Sequence, residues 1–269
     1  MRLSRAFALP VVFVLFAQFA LAQQTATNTQ SPTQRDPLAL AVLTQSLTVS
    51  GGATAIGAIQ DFTASGSITY FWAGSQVPGT VTLRGRGLDA FRLDASLSQG
   101  VRSWAVSYGQ GTIKDFDGTT DSIPYSDAIN LGSFTFPFLV ISAALQDTTT
   151  SAIDLGNIDL NNAKARQIRI QRSSSSSTDA GVALSKMTIR DYFFDPLTGQ
   201  LLKIADTIHP LDGSSEGYVH EILFSDYRVE NGVLTPHSIT EQIGAQQTWT
   251  VQITQIAFNT GLTDADFQL

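Results

Sequence analysis

Gln247-Thr248-Trp249-Thr250-Val251-Gln252-Ile253-Thr254-Gln255-Ile256-Ala257 alternates apolar and polar side chains along most of its length. Trp249, Val251 and Ile253 fall on one side, and Thr248, Thr250, Gln252 and Thr254 on the other. A period of two puts successive side chains on opposite faces, so the stretch reads as a β-strand with one buried and one solvated face. The same reading holds for Gly66–Trp72, where Ile68, Tyr70 and Trp72 share a face. Val77, Val81 and Leu83 continue it, followed by Phe91, Leu93, Ala95 and Leu97. Each run is bounded by Gly, Pro, Asp or Ser, the turn formers expected between consecutive antiparallel strands.

Further strands are predicted over Val101–Tyr108, Thr112–Asp117, Lys164–Arg172, Met187–Phe194, Leu201–Ile208, Gly217–Tyr227 and Leu234–Gln242. The serine-rich Ser173–Gly181 reads as a mobile hairpin tip. Asp36-Pro37 is an N-cap followed by proline at the first helical position, and Leu38, Leu40, Ala41, Leu43 and Leu47 recur at helical spacing. Gly51-Gly52 stops that helix, and a short second one is expected over Ala53–Ile59. Pro124–Asp147 contains the nearly unbroken apolar run Phe134–Leu145, which lacks a period of two and reads as helix inserted between two halves of a sheet. About ten strands with helical inserts and no βαβ rhythm predict a mainly β fold: a strongly curved antiparallel sheet with helices over its concave face.

Composition narrows the class. The chain has 269 residues, 43% hydrophobic and 14% charged, with 21 glycines, which excludes disordered, collagenous and coiled-coil proteins. Met1–Ala22 places Arg2 and Arg5 before an apolar run ending in Ala20-Leu21-Ala22, the pattern of a cleaved secretory signal. An uncleaved anchor needs about 18 apolar residues, and Pro10 and Gln18 interrupt this run. Residues 23–35 read as a flexible polar spacer and 36–269 as a single domain. With no cysteine, neither a thiol-linked lipid anchor nor a disulfide is available. The net charge of −7 becomes more negative once Arg2 and Arg5 leave, and repels phosphate backbones, so nucleic acid is not an expected ligand. A secreted, periplasmic, soluble protein without stable membrane insertion is expected.

Chemistry is sparse. The three histidines are His209, His220 and His237, none at the spacing of a helical zinc site. Asp206, His209, Asp212, Glu216, His220 and Glu221 form the densest ionisable group. Two adjacent strands could gather them around a divalent ion, but a solvated hairpin end has the same composition. No metal and no cofactor is therefore expected. Gly85, Gly87 and Gly109-Gln110-Gly111 precede no helix, so they read as turns rather than a phosphate cradle. No catalytic residue is assigned. The distinctive content is aromatic: Tyr70-Phe71-Trp72 and Tyr192-Phe193-Phe194 put bulky side chains on both strand faces. A curved sheet with more apolar surface than its helices cover leaves a cleft suited to acyl chains.

Several local patterns together resemble the LolA/LolB-like superfamily of periplasmic lipoprotein carriers. They are Ile59–Gly66 after the amino-terminal helix, Leu83-Arg84-Gly85-Arg86-Gly87 before Phe91, Asp115-Phe116-Asp117-Gly118, Phe136–Ile141, Ser225–Gly232 with Pro236, and Asn259–Phe267. The resemblance implies an incomplete β-barrel whose helices close a hydrophobic cavity. It also implies a strand arginine tethering the helical lid, for which Arg84 and Arg86 are the candidates. The cavity candidates are Phe71, Phe91, Trp104, Phe136, Phe138, Ile141, Tyr192, Phe194 and Trp249. The expected function is a non-enzymatic carrier for the acyl part of a lipid, lipoprotein or other amphiphile, with an envelope protein as donor or acceptor. The rival is an envelope interaction or sensing module with its cavity plugged; a hydrolase or metal protein at 206–221 ranks below both.

Overall fold

A computed structural model describes residues 33–72, 74–131, 136–160, 163–173, 178–209 and 217–269. The signal segment, most of the spacer, Phe134, Asp212, Glu216 and the centre of the serine loop lie outside the described residues.

The chain opens with α1 (Pro37–Val49) and α2 (Gly52–Gly57). The Asp36 carboxylate accepts from the Leu38 N–H, and Pro37 occupies the first turn, as the cap reading requires. The buried stripe of α1 is Ala39, Leu43, Ser46 and Leu47, whereas Leu38 is exposed, so the helix is turned slightly from the face its leucines suggest. Six strands follow: β1 (Asp61–Trp72), β2 (Ser75–Arg86), β3 (Ala90–Leu97), β4 (Gly100–Ser107), β5 (Gln110–Lys114) and β6 (Thr120–Ile123). Then come α3 (Tyr125–Leu131) and α4 (Pro137–Gln146). The second half is β7 (Thr150–Leu160), β8 (Ala163–Arg172), α5 (Asp179–Met187), β9 (Arg190–Phe194), β10 (Leu201–Ile208), β11 (Tyr218–Glu230), β12 (Val233–Ile243) and β13 (Gln246–Phe258).

All thirteen strands form one antiparallel sheet in the order β6-β5-β4-β3-β2-β1-β13-β12-β11-β10-β9-β8-β7. The first and last strands pair at its centre, and successive hairpins build outward on both sides. The helical insert α3–α4 carries the chain from one free edge, β6, to the other, β7. The sheet is curved and unclosed, and one core cluster collects Leu43, Ile56, Ile68, Leu93, Phe138, Ile168, Tyr192, Ile222 and Val251 from both halves and the helices. This is the mainly β, incomplete-barrel class expected from the alternation.

Three elements depart from the sequence reading. β6 is short and mostly exposed, and β7 is an edge strand containing Asp154, Gly156, Asn157 and Asp159. Both lack a two-sided neighbourhood that would impose alternation. The serine loop leads into α5, where the Thr178 hydroxyl accepts from the Gly181 N–H. Met187, expected to begin a strand, instead ends this helix.

Curvature has a local cause at the centre of the sheet. Register skips between Ser65 and Gly66 where β1 meets β13. Bulges of this kind bend the strand that carries them. A Cβ on Gly66 would lie 1.9 Å from the Gln252 carbonyl oxygen, so only glycine fits there. At the other end of the insert, the Arg35 guanidinium donates to the carbonyls of Ala144 (2.9 Å), Leu145 (3.1 Å), Asp147 (2.8 Å) and Thr150 (2.8 Å). It satisfies the last turn of α4, where a cation also opposes the helix dipole. Arg35→Ala is expected to cost about 2 kcal/mol, the scale of a charged hydrogen-bond donor. Chemical denaturation would show the loss, while Arg35→Lys would restore only part of it because one ammonium cannot span four carbonyls.

Candidate functional site

At one end of the concave face lies a cavity of about 520 Å³. It is bounded by the ends of β1, β4, β5, β6, β10, β11, β12 and β13 and by α3. One wall is aromatic. Tyr70 and Trp72 come from β1, Trp104 from β4 and Trp249 from β13, so all three tryptophans of the chain line this space. Strand alternation puts Tyr70 with Trp72 on one face, and β1–β13 pairing sets Tyr70 beside Trp249. Burial of Tyr70 pushes its phenol up to about 12 despite the Arg102 charge. The Arg102 guanidinium lies 5.5 Å from the ring centres of both Tyr70 and Trp72 and pairs with Asp115 at 3.1 Å.

The facing wall is polar. Asp206 and His220 are cross-strand partners on β10 and β11. Their side chains are 3% and 1% exposed, so each needs an internal partner. His220 Nδ1 meets the Asp206 carboxylate at 2.7 Å, and His220 Nε2 meets Glu241 on β12 at 3.2 Å. Arg190 on β9 approaches Asp206 at 3.3 Å from behind. Burial alone would lower the His220 pKa, but hydrogen bonds and charge from Asp206 and Glu241 overcome it and push it up to about 9. Burial likewise opposes ionisation of Asp206, yet His220 and Arg190 hold its carboxyl below the usual range. The imidazolium is therefore clamped between two carboxylates, an arrangement that neutralises buried charge rather than presenting a base to a substrate.

α3 closes the space. Asp127 in its first turn accepts the His209 N–H at 3.2 Å, and burial raises its carboxyl pKa. Near the end of α3, the Ile129 carbonyl accepts from Arg172 at 3.1 Å and the Asn130 carbonyl from Arg190. Arginines of β8 and β9 thus hold the helix from across the fold.

Phe71, Trp104 and Trp249 line the cavity. Phe91 packs behind Trp104, tilted by 50° at 4.8 Å between ring centres. Phe136 packs with Phe62, Phe138 and Phe258, while Phe138 and Ile141 are fully buried on α4. Tyr192 and Phe194 stack on each other at 6.5 Å; Tyr192 borders a separate cavity of about 80 Å³ beneath α4. Arg84 pairs with Asp94 at 2.6 Å, and Arg86 pairs with Asp264 in the carboxyl-terminal turn Asp264–Phe267. Carbonyls of α3 and α4 accept from Arg35, Arg172 and Arg190.

Of the ionisable cluster, Asp206 and His220 meet, His209 turns to Asp127, and Glu221 pairs with Lys203 at 2.6 Å. Among the described residues, no group of three or more His, Asp or Glu side chains is arranged to hold a metal ion. Glu241, Asp127, Arg102 and Arg190 complete the site from strands and a helix distant in sequence, and no spacing rule points to them.

No protein-family model matches this chain. No curated protein matches it. Solved structures do. The chain aligns with an outer membrane lipoprotein-sorting protein domain from Vibrio parahaemolyticus at TM-score 0.51 and 12% identity, over 85% of this chain and 95% of that one. A LolA superfamily protein from Nitrosomonas europaea gives TM-score 0.51 and 9% identity over 86% and 97%. A DUF1329 family protein from Desulfovibrio piger gives 0.53 and 9% over 88% and 98%. At these identities the likeness establishes a shared fold: this chain has the LolA-like architecture.

Proposed function

We propose that this protein is a non-enzymatic periplasmic carrier that holds the acyl part of a lipid, lipoprotein or other amphiphile. The observation that carries the reading is the 520 Å³ cavity, a size ordinary for ligand sites, lined by three tryptophans and several aliphatic side chains on a LolA-like frame. Two of the similar structures are described as a lipoprotein-sorting domain and a LolA superfamily protein, which fits that use. The periplasmic location rests on the leader; among the described residues no helix is long and apolar enough to cross a membrane.

Uptake would be driven by desolvation, each buried methylene contributing about 0.8 kcal/mol. Hand-over would then need an acceptor of comparable apolarity, so that transfer is nearly balanced. The carboxylate-clamped His220 favours binding over catalysis, because both ring nitrogens already have partners.

Protein purified from the periplasm without detergent should carry a co-purified mass of acyl-lipid size in native mass spectra. Trp249→Glu should lose it while keeping a folded circular dichroism spectrum. Reproducibly bare protein that takes up no fluorescent fatty acid or alkylamine would overturn the carrier reading and favour an interaction module.

A further inference from the structure

The cavity has a capacity and a charge pattern that narrow its ligand beyond "an amphiphile". A cavity of about 150 Å³ accepts one benzene. On that scale 520 Å³ holds on the order of twenty non-hydrogen atoms. That is one fatty chain with a small polar end; three chains do not fit.

The charges are nearly balanced, with one exception. Glu241 and Asp127 line the space, while Asp206 stands behind His220 and Asp115 beside Arg102. Asp115 has Arg102 at 3.1 Å, Asp206 has Arg190 at 3.3 Å and His220 at 2.7 Å, and Glu241 has His220 at 3.2 Å. Among the described residues, Asp127 has no arginine or lysine partner, and its one ion-pair candidate is the His209 ring. Its carboxylate, 7% exposed, takes the His209 N–H and the Ser126 hydroxyl, and the nearest ring nitrogen, His209 Nδ1, stands 3.8 Å away. That Nδ1 atom is itself buried and, among the described residues, makes no hydrogen bond. A buried carboxylate facing an apolar cavity beside an unused nitrogen is an incomplete ion pair. The aromatic wall already tolerates a cation, since Arg102 lies over Tyr70 and Trp72.

We propose that the cavity takes a single-chain amphiphile with a positively charged amine head, the chain against the tryptophan wall and the ammonium donating to Asp127. This rests on the carrier reading and specifies its ligand class. An ammonium N–H can reach both the carboxylate and the unused imidazole nitrogen, whereas an anionic head would meet Asp127 and Glu241 with like charge.

The test uses the full mature protein with dodecylammonium, dodecanoate and a triacylated lipopeptide, the first two below their micelle concentrations. Because every tryptophan lines the cavity, intrinsic fluorescence reports occupancy, and native mass spectrometry gives stoichiometry. One dodecylammonium should bind per chain, tighter than dodecanoate by about tenfold or more, the scale of one charge-assisted hydrogen bond; the lipopeptide should give no cavity signal. Asp127→Asn, which keeps an acceptor for the His209 N–H, should bring the two dodecyl probes to near parity. The wild-type comparison stands alone if that variant fails to fold. Dodecanoate binding as tightly as dodecylammonium, an unchanged preference in Asp127→Asn, or a lipopeptide signal would overturn the proposal while leaving a carrier intact. Binding of none of the three would remove the carrier reading as well.

Discussion

Asp206→Asn is expected to destabilise the protein by about 3–5 kcal/mol at pH 6, the cost of breaking a buried ion pair by removing one partner. The substitution keeps the shape and removes the charge. Arg190 and His220, 6% and 1% exposed, would then lose the carboxylate they share. The effect should depend on pH in a definite direction. The His220 pKa is about 9 in the folded state, against about 6.5 for an unconstrained imidazole. A raised folded pKa gives stability that is fully present below about pH 6.5 and lost as pH rises through 9. Across that window wild type should lose roughly 3 kcal/mol by the linkage relation. In Asp206→Asn the alkaline decline should shrink, because His220 no longer gains its closer carboxylate. Asp206 itself acts on the acid side: its depressed pKa adds stability above the usual carboxylate range that disappears on acidification below about 4. Urea denaturation at pH 3, 5, 6.5, 8 and 9.5 measures both limbs. A cost under 1 kcal/mol, or an alkaline slope unchanged in the variant, would show that the network does not hold its charges as the geometry indicates. His220→Gln combined with Asp206→Asn should cost much less than the two singles together, since each breaks the same cluster.

The same network shows where sequence reasoning reached and where it stopped. Asp206 and His220 could be seen as neighbours, because the 201–208 and 217–227 strands form a hairpin and any hairpin gathers its ionisable residues. Their meaning could not be seen. Whether two acids and an imidazole hold a metal or a proton depends on what closes the shell, and here Arg190 and Glu241 close it from β9 and β12. The strands themselves were legible wherever one face is buried, as in Trp249, Val251 and Ile253 of β13. β7 escaped because an edge strand has no second neighbour to select its side chains, and α5 because its signal is one threonine cap after a run of serines. Of the aromatic residues, Phe71, Trp104 and Trp249 border the cavity, while Phe138 is buried on α4. Alternation, however, says which face a residue is on, not how deep along the strand it lies, so lining and core could not be told apart.

That distinction carries the second large expected effect. Phe138 is fully buried on α4 and packs edge-on against Phe136 at 5.8 Å, whereas Trp104 has the cavity on one side and Phe91 on the other. Truncation of a fully enclosed phenylalanine removes its transfer free energy and leaves a hole, together about 3–5 kcal/mol. Phe138→Ala should therefore lower the denaturation midpoint strongly. Ligand uptake by the fraction still folded should be unchanged, because the cavity wall is intact. Trp104→Ala faces existing empty space, so less packing is lost and the vacated volume joins a cavity already present. Its stability cost should be the smaller of the two, while its preferred chain length should increase. Measuring the midpoint and the optimum among alkyl probes of increasing length separates the two roles. If Phe138→Ala alters chain-length preference and Trp104→Ala only destabilises, the binding space lies under α4 rather than between the tryptophan wall and α3.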